Sequence, residues 1–501
     1  MKASVIIPPS IKPFYPVYTA GILSDILRNQ NVETSVIDSN LLFFEHIYQD
    51  NLDIFVNNKW ILITSKNISE SVNALRCDSM NQFDEDLYKK AYFEIMVRNT
   101  ALNMYIEGIR FGFFDVRINL NDLTIEQVLF EREMNNTFEK MFETFMPVID
   151  SDIIFLSVMS VEQLYFSYIL SKVLKKRNNC KMVVGGPYFQ DQDSVNYDLL
   201  LNWFDCVCLG DAELVFPEII SSYKRQKGLY STKGTVSRID GTLVVTNTCR
   251  SRNADVSKYL MSRDDFKNNH YFYPIERIPL LTSRECCYGK CTFCTNKGKT
   301  HHGCRIKKIS EVINEVKYIK TTEKDVVEFI DDNMHAKYLL SFAQMVFDSR
   351  LKLKWISNSR FYEEYLLYDN CELLHKSGCK KLFLGLESYN QTTLDSMAKG
   401  TNVDNIIPIL KNIKSSGIKT HISILFGFPG ETFAEAEITK EFLYSNLELI
   451  DIAEINCFVD HGEKFGSEVL YDAKKITQET RNIIKQQGKD PSFYNIYKCM
   501  V

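Results

Sequence analysis

The chain has 501 residues, 45% of them hydrophobic and 25% charged, an ordinary globular balance with enough apolar material for two or three domains. A formal charge of −5 without long like-charge runs excludes an electrostatic case for nucleic acid as a main partner. No stretch reaches the roughly 18 apolar residues of a membrane span, and the opening apolar run, stopped by Pro8-Pro9, is too short for a signal peptide, so a cytoplasmic protein is the simplest expectation.

In chain order, Ser4-Val5-Ile6-Ile7 predicts a first strand, 18–28 an amphipathic helix, and Thr34-Ser35-Val36-Ile37 a second strand closed by Asp38. From about 41 to 148 the rhythm breaks, and the residues read as a long, partly helical insertion, because a structureless loop of that length is implausible. Alternation resumes with a strand at 152–157, a helix at 162–176, a strand at 181–184 ending in Gly185-Gly186-Pro187, and a strand at 205–209 followed by Gly210-Asp211-Ala212-Glu213. Buried strands alternating with helices imply an α/β, doubly wound parallel sheet of flavodoxin or Rossmann type over 1–223. Such sheets bind ligands beyond the carboxyl ends of their strands. Ser157, Gly185, Gly186 and Gly210 fall at those ends, beside Pro187 and Asp211. Residues 224–273, with one small hairpin, read as a linker. A second α/β run over 274–470, with strands near 278–282, 326–330, 381–384 and 421–425, predicts a partial or full parallel (β/α) barrel. Residues 471–501 are a short extension.

Four of the fourteen cysteines crowd into Cys286 to Cys294. In a long cytosolic chain, such crowding marks a metal or redox site rather than a disulfide scaffold. Counted back from Cys294, the spacing is Cys-x3-Cys-x2-Cys with Cys287 and Cys291, on a loop after a predicted strand. Cubane clusters usually take four thiolates; three thiolates without an obvious fourth would leave one iron open to a small chelating ligand. The competing reading is a zinc tetrahedron completed by His301 or His302.

This loop, with Phe293 before its last cysteine, resembles that of the radical S-adenosylmethionine (SAM) superfamily. The resemblance implies a [4Fe–4S] cluster on Cys287, Cys291 and Cys294 whose open iron chelates SAM, and one-electron cleavage of SAM to a 5′-deoxyadenosyl radical. It also implies an external electron donor such as flavodoxin or ferredoxin. Other pieces resemble the same family in order: Phe329-Ile330-Asp331-Asp332-Asn333 at a second strand end, where Asp331, Asp332 or nearby backbone takes the methionyl amine; Arg360 after a third strand, facing the methionyl carboxylate; Gly385-Leu386-Glu387-Ser388, with Glu387 as a cofactor contact; and Gly427-Phe428-Pro429-Gly430 near the adenine. Read forward instead, Ser283-Arg284-Glu285-Cys286 resembles relatives in which the first ligand follows Ser-Arg-Gly, which would select Cys286; the prevalent x3 spacing selects Cys287.

The N-terminal half resembles the cobalamin-binding domain that precedes this barrel in a large subgroup, through Pro8-Pro9, Ser157, Val184-Gly185-Gly186-Pro187 and Gly210-Asp211-Ala212-Glu213. It lacks the Asp-x-His-x2-Gly motif that ligates cobalt from below; His46 is the only histidine before residue 270. The alternative is a flavodoxin-like domain without the ligand. Together these resemblances imply a cobalamin-dependent radical SAM methyltransferase acting on an unactivated carbon of a small molecule or peptide. A radical cyclisation, rearrangement or oxidation is the enzymatic alternative, and a corrinoid or iron–sulfur sensor the non-enzymatic one.

Overall fold

The computed structural model of the chain describes residues 1–50, 68–76, 83–118, 132–189, 195–225, 233–246, 254–294, 304–319, 321, 325–458 and 472–500. Two compact units divide at Pro274 and Ile275.

The first unit holds strands β1 (Lys2–Ile7), β2 (Glu33–Asp38), β3 (Ile109–Gly112), β4 (Asp115–Ile118), β5 (Ile153–Ser157), β6 (Lys181–Gly185), β7 (Cys206–Cys208), β8 (Thr235–Ile239) and β9 (Thr242–Thr246). Its main sheet runs β2-β1-β5-β6-β7-β8-β9, and the first five are parallel. Numbered among themselves, those five follow the order 2-1-3-4-5, the flavodoxin-like doubly wound pattern. Val5, Ile153, Ile154 and Met182 are fully buried because helices cover both faces. Each such side chain stabilises by roughly 1.5–3 kcal/mol, so a charge at Ile154 would break the sheet. Helix Val161–Arg177 starts at a Ser160 cap, and Lys175, Lys176 and Arg177 complement its C-terminal dipole.

The described parts of 41–148 are helices, including Glu85–Tyr105 and Arg132–Phe145, and the β3–β4 hairpin. They share a core with the sheet's own helices: Phe43 packs against Phe138, Phe142 and Phe166. Arg98, fully buried, donates to the carbonyls of Ile47 (3.2 Å) and Gln49 (2.8 Å), beyond the last turn of helix Ser39–Ile47.

The stretch from 224, expected as a linker, differs. β8 pairs antiparallel with β7, and β9 with β8. The outer edge of β7 would otherwise present unpaired backbone groups, and the hairpin satisfies them. Residues 254–274 also belong here: Leu260 donates its backbone N–H to Asp25, Phe272 to the Pro13 carbonyl, and Tyr271 its hydroxyl to Asp38.

Asp38 ends β2 and caps the next helix by accepting the Leu41 N–H at 2.9 Å. Burial raises its pKa to about 6, against the hydrogen bonds from Leu41 and Tyr271. The folded state therefore holds a proton that the unfolded state releases between pH 4 and 6, and this residue costs stability above pH 6, by about 3 kcal/mol at neutral pH. Asp38→Asn keeps the cap. It is expected to raise the thermal midpoint at pH 7, with the gain shrinking below pH 6 and gone near pH 4. Melting curves across that range check the sign.

The second unit holds β10 (Arg277–Leu280), β11 (Ser283–Arg284), β12 (Arg305–Ile306), β13 (Val326–Phe329), β14 (Trp355–Ser359), β15 (Cys379–Glu387), β16 (Lys419–Phe426) and β17 (Ile452–Cys457). Six form a parallel sheet in the order β10-β13-β14-β15-β16-β17, with helices between successive strands, the arrangement of a partial (β/α) barrel. β10 and β17 are not paired with each other among the described residues. Beyond β17, Ala473–Gln486 and Phe493–Lys498 are helices. Arg481 donates to the Ile455 carbonyl at 2.7 Å and Ala453 to that of Lys489, so the tail covers the β17 edge.

Candidate active site

The cysteine loop leaves the carboxyl end of β10. Its first residues are fixed from below by Asp331, 1% exposed, at the end of β13. Asp331 accepts hydrogen bonds from the backbone N–H and hydroxyl of both Thr282 and Ser283, at 2.5–3.1 Å. Burial raises its pKa, and those four donors oppose the shift. Asp331 is thus committed to positioning the loop. Asp332 beside it is exposed.

β11 and β12 form a two-residue antiparallel ribbon, Arg284 opposite Arg305, and Glu285 pairs with Arg305. This ribbon sets Cys287 beside Cys304, and the two are joined in a disulfide. Cys287, the first ligand by spacing, lies in that pair, and Cys286 beside it does not. Cys286, Cys291 and Cys294 lie outside that pair and are partly exposed.

The far half of the loop docks on residues 396–400. Thr292 donates to the Met397 and Ser396 carbonyls, and the Tyr288 hydroxyl to that of Ala398 at 2.8 Å. A Cβ at Gly400 would collide with the Tyr288 hydroxyl, and its φ of +64° also favours glycine. The Arg360 guanidinium lies 3.4 Å from the Tyr288 ring centroid. Arg360 is 7% exposed, and its Nη1 is buried without a hydrogen-bond partner among the described residues.

Glu387 ends β15 with φ +69°, a left-handed conformation that a non-glycine residue holds only when its surroundings impose it. Lys399 Nζ donates to its Oε1 at 2.8 Å, and Ser423 Oγ to its Oε2 at 3.1 Å. Gly385 makes room: a Cβ there would lie 2.8 Å from both Glu387 Oε1 and Lys399 Nζ. Lys399 Nζ also sits 5.5 Å from the Phe293 ring centroid. Burial raises the Cys291 thiol pKa, while the positive charges of Lys399 and Arg360 oppose it. Cys291, Phe293, Arg360 and Glu387 are thereby brought together, with Tyr288 and Lys399 among them. The sequence assigns no role to those last two, though Lys399 lies in Met397-Ala398-Lys399-Gly400, shortly after Gly385-Leu386-Glu387-Ser388. Gly427 donates its N–H to Glu431 at 2.8 Å, which closes the loop after β16.

In the first unit, Ser157, Gly185, Gly186, Pro187 and Gly210 are all reached by solvent at the carboxyl ends of β5, β6 and β7. Gly186, φ +121°, lies so close to the chain after β5 that a Cβ would meet Val158 O at 2.5 Å. Asp211 is buried and accepts the Ala254 N–H at 3.3 Å, so it serves the fold there. His46 packs against Phe145.

Residues 282–443 match the family model of the radical SAM superfamily. A radical SAM domain therefore occupies those residues. An uncharacterized methyltransferase of Pyrococcus horikoshii is 24% identical over 316 residues, 58% of this chain and 64% of that protein. The bacteriochlorophyllide d C-12(1)-methyltransferase of Chlorobaculum tepidum is 27% identical over 176 residues, 34% of this chain and 38% of that protein. The chain thus matches less than two thirds of the length of these curated relatives. Among solved structures, the radical SAM methyltransferase TsrM from Kitasatospora setae, with cobalamin and a [4Fe–4S] cluster bound, has a TM-score of 0.56 at 11% identity, covering 90% of this chain and 74% of that one. The cobalamin-dependent radical enzyme OxsB has a TM-score of 0.54 at 14% identity, covering 97% and 56%. At these identities the likeness is one of fold.

The radical SAM loop fits an iron–sulfur cluster by its donor set. Three thiols outside the disulfide lie within nine residues, and two cations face one of them. No three His, Cys, Asp or Glu side chains are gathered at metal-ligand spacing among the described residues. His301 and His302, the ligands of the zinc alternative, lie outside the described residues. No described helix is long and apolar enough to cross a membrane.

Proposed function

We propose that this radical SAM protein holds a [4Fe–4S] cluster on Cys286, Cys291 and Cys294, binds SAM against Arg360, Glu387 and Lys399, and carries cobalamin on the strand-end rim of its first unit. The observation that carries this reading is the Cys291–Phe293–Lys399–Glu387–Arg360 arrangement, in which two buried cations face the Cys291 thiol of the cysteine loop. A reduced cluster, when bound, supplies the electron that cleaves the sulfonium C–S bond of SAM.

The chain's own residues then have distinct tasks. Arg360 offers its unpartnered Nη1 to the methionyl carboxylate, held rigid by Tyr288. Glu387, fixed by Lys399 and Ser423, presents a polar wall where the cofactor lies. Exposed Asp332, at the same strand end, is the side chain proposed to face the methionyl amine. Asp331 keeps the loop's entry from drifting. In the first unit, Ser157 and the side-chain-free backbone at Gly185, Gly186 and Gly210, with Pro187 beside them, suit a flat macrocycle. The chain has no Asp-x-His-x2-Gly motif, so no histidine is proposed beneath cobalt.

The reaction proposed is generation of a carbon radical on a small-molecule or peptide substrate, with electrons from an external donor such as flavodoxin or ferredoxin. Cyclisation, rearrangement or oxidation starts from that radical without a methyl donor, and oxidation passes one further electron to an external acceptor. Methyl transfer is the second reading, favoured by the two relatives and by TsrM, each named a methyltransferase. The protein, reconstituted anaerobically with iron, sulfide and hydroxocobalamin, is incubated with SAM and a reductant. Production of 5′-deoxyadenosine supports the radical reading. Cobalamin-dependent S-adenosylhomocysteine adds methyl transfer, and its absence removes that step.

A further inference from the structure

Parallel register sets Glu328, Ile356 and Lys381 side by side across β13, β14 and β15, and Phe383, His421 and Ile452 across β15, β16 and β17. The His421 ring meets the Phe383 ring edge-on at 4.5 Å. Ser423, two residues on from His421, bonds Glu387, so Lys381, Phe383, Gly385 and Glu387 follow one another up a single face of β15. Its top is the proposed SAM edge. Its lower part is polar and has no assigned task.

Lys381 is 7% exposed and His421 5%. The Lys381 ammonium makes no hydrogen bond or ion pair among the described residues; Glu328, the acid that acts on it most strongly, is held by Arg277. Neither ring nitrogen of His421 is hydrogen-bonded, and the Glu454 carboxylate stands 3.8 Å from Nε2, too far to accept. Buried charges are normally paired and buried polar groups bonded. A cation without an acid partner and an imidazole N–H without an acceptor therefore stand on one face. Burial and the neighbouring Lys381 hold His421 well below its ordinary pKa; burial and Arg277 lower Lys381, against Glu328 and Glu454. Cys499, the remaining titratable neighbour, is a thiol pushed up to about 11 by burial and supplies no anion. The row is open to water on one side, because Phe383 is part-exposed and the Glu454 side chain is 41% exposed.

We infer that Lys381 and His421 form an anion site that holds the carboxylate end of the substrate, with Phe383 packing its apolar middle and its reacting end near Gly385 and Lys399. This rests on the reading of the upper edge as the SAM site. Lys381 lies four residues below Gly385, roughly 13 Å at the rise of a parallel strand. The substrate class is therefore an elongated monocarboxylate whose reacting carbon lies about that distance from its acid group.

Hexanoate and acetate serve as probes on the reconstituted full chain, read by thermal midpoint against sodium chloride at equal ionic strength. Hexanoate is expected to raise the midpoint saturably and at lower concentration than acetate. Lys381→Met is expected to abolish the response while leaving the probe-free midpoint equal or higher, since it removes a charge that has no acid partner. His421→Phe is expected to weaken the response at least tenfold in half-saturating concentration. A response retained in Lys381→Met, no response in the native chain, or a lowered probe-free midpoint in Lys381→Met overturns the site. If Lys381→Met fails to fold, His421→Phe alone decides, and an unchanged response there overturns the site. Release of 5′-deoxyadenosine without a hexanoate response removes the anion site alone. A response without SAM cleavage removes the SAM reading alone.

Discussion

Cys286→Ala, Cys291→Ala and Cys294→Ala are each expected to lose most of the reconstituted iron and all 5′-deoxyadenosine above background. Cys287→Ala and Cys304→Ser are expected to keep both. The reason is the β11–β12 ribbon, which sets Cys287 beside Cys304 and leaves the other three thiols outside that pair. A cluster with one open iron needs all three protein thiolates, so no single loss is tolerated. Iron and sulfide analysis of the five variants, purified side by side, separates the two assignments. If Cys287→Ala loses its iron while Cys286→Ala retains it, the ligand set is Cys287, Cys291 and Cys294. If all five retain iron, the loop is not the cluster site.

Lys399→Met is expected to unfold the second unit at markedly lower denaturant. Lys399 and Glu387 are both nearly buried and bonded at 2.8 Å. Removing one partner of such a pair leaves an uncompensated charge, at a cost of about 3–5 kcal/mol. Glu387 cannot swing out to water readily, because Ser423 holds its other oxygen and its backbone sits at φ +69°. The double variant Lys399→Met, Glu387→Gln removes the stranded charge and is expected to recover roughly half of the loss or more. Urea unfolding of the single and double variants measures the coupling. A double variant no more stable than Lys399→Met alone would mean that the cost comes from packing against Phe293. In either variant SAM binding is expected to weaken, since the polar wall beside Cys291 is altered.

Much of the frame is legible in the sequence because parallel, doubly covered strands read as continuous apolar runs, as at Ile153–Leu156 and Met182–Val184. The strand-end residues Ser157, Gly186 and Glu387 are readable for the same reason: a run stops and a turn residue follows. Non-local pairing is harder. The 235–246 hairpin looks like a linker because its partner, the edge of β7, is about thirty residues earlier. Cys304 comes alongside Cys287 only through the two-residue ribbon, a non-local pairing that spacing does not reveal. Lys399 and Tyr288 escape notice because their roles exist only once the loop after β10 docks on the turn after β15. Lys381 and His421 look like ordinary strand residues until register shows both on one face without partners.

The account stands most directly on whether this loop carries a SAM-binding cluster. Electron paramagnetic resonance of the anaerobically reconstituted, reduced protein, recorded before and after adding SAM, tests it. The expected result is a [4Fe–4S]⁺ signal that shifts on SAM addition, with 5′-deoxyadenosine found in the same sample. A signal unmoved by SAM, or stoichiometric zinc with no cluster signal, would contradict it.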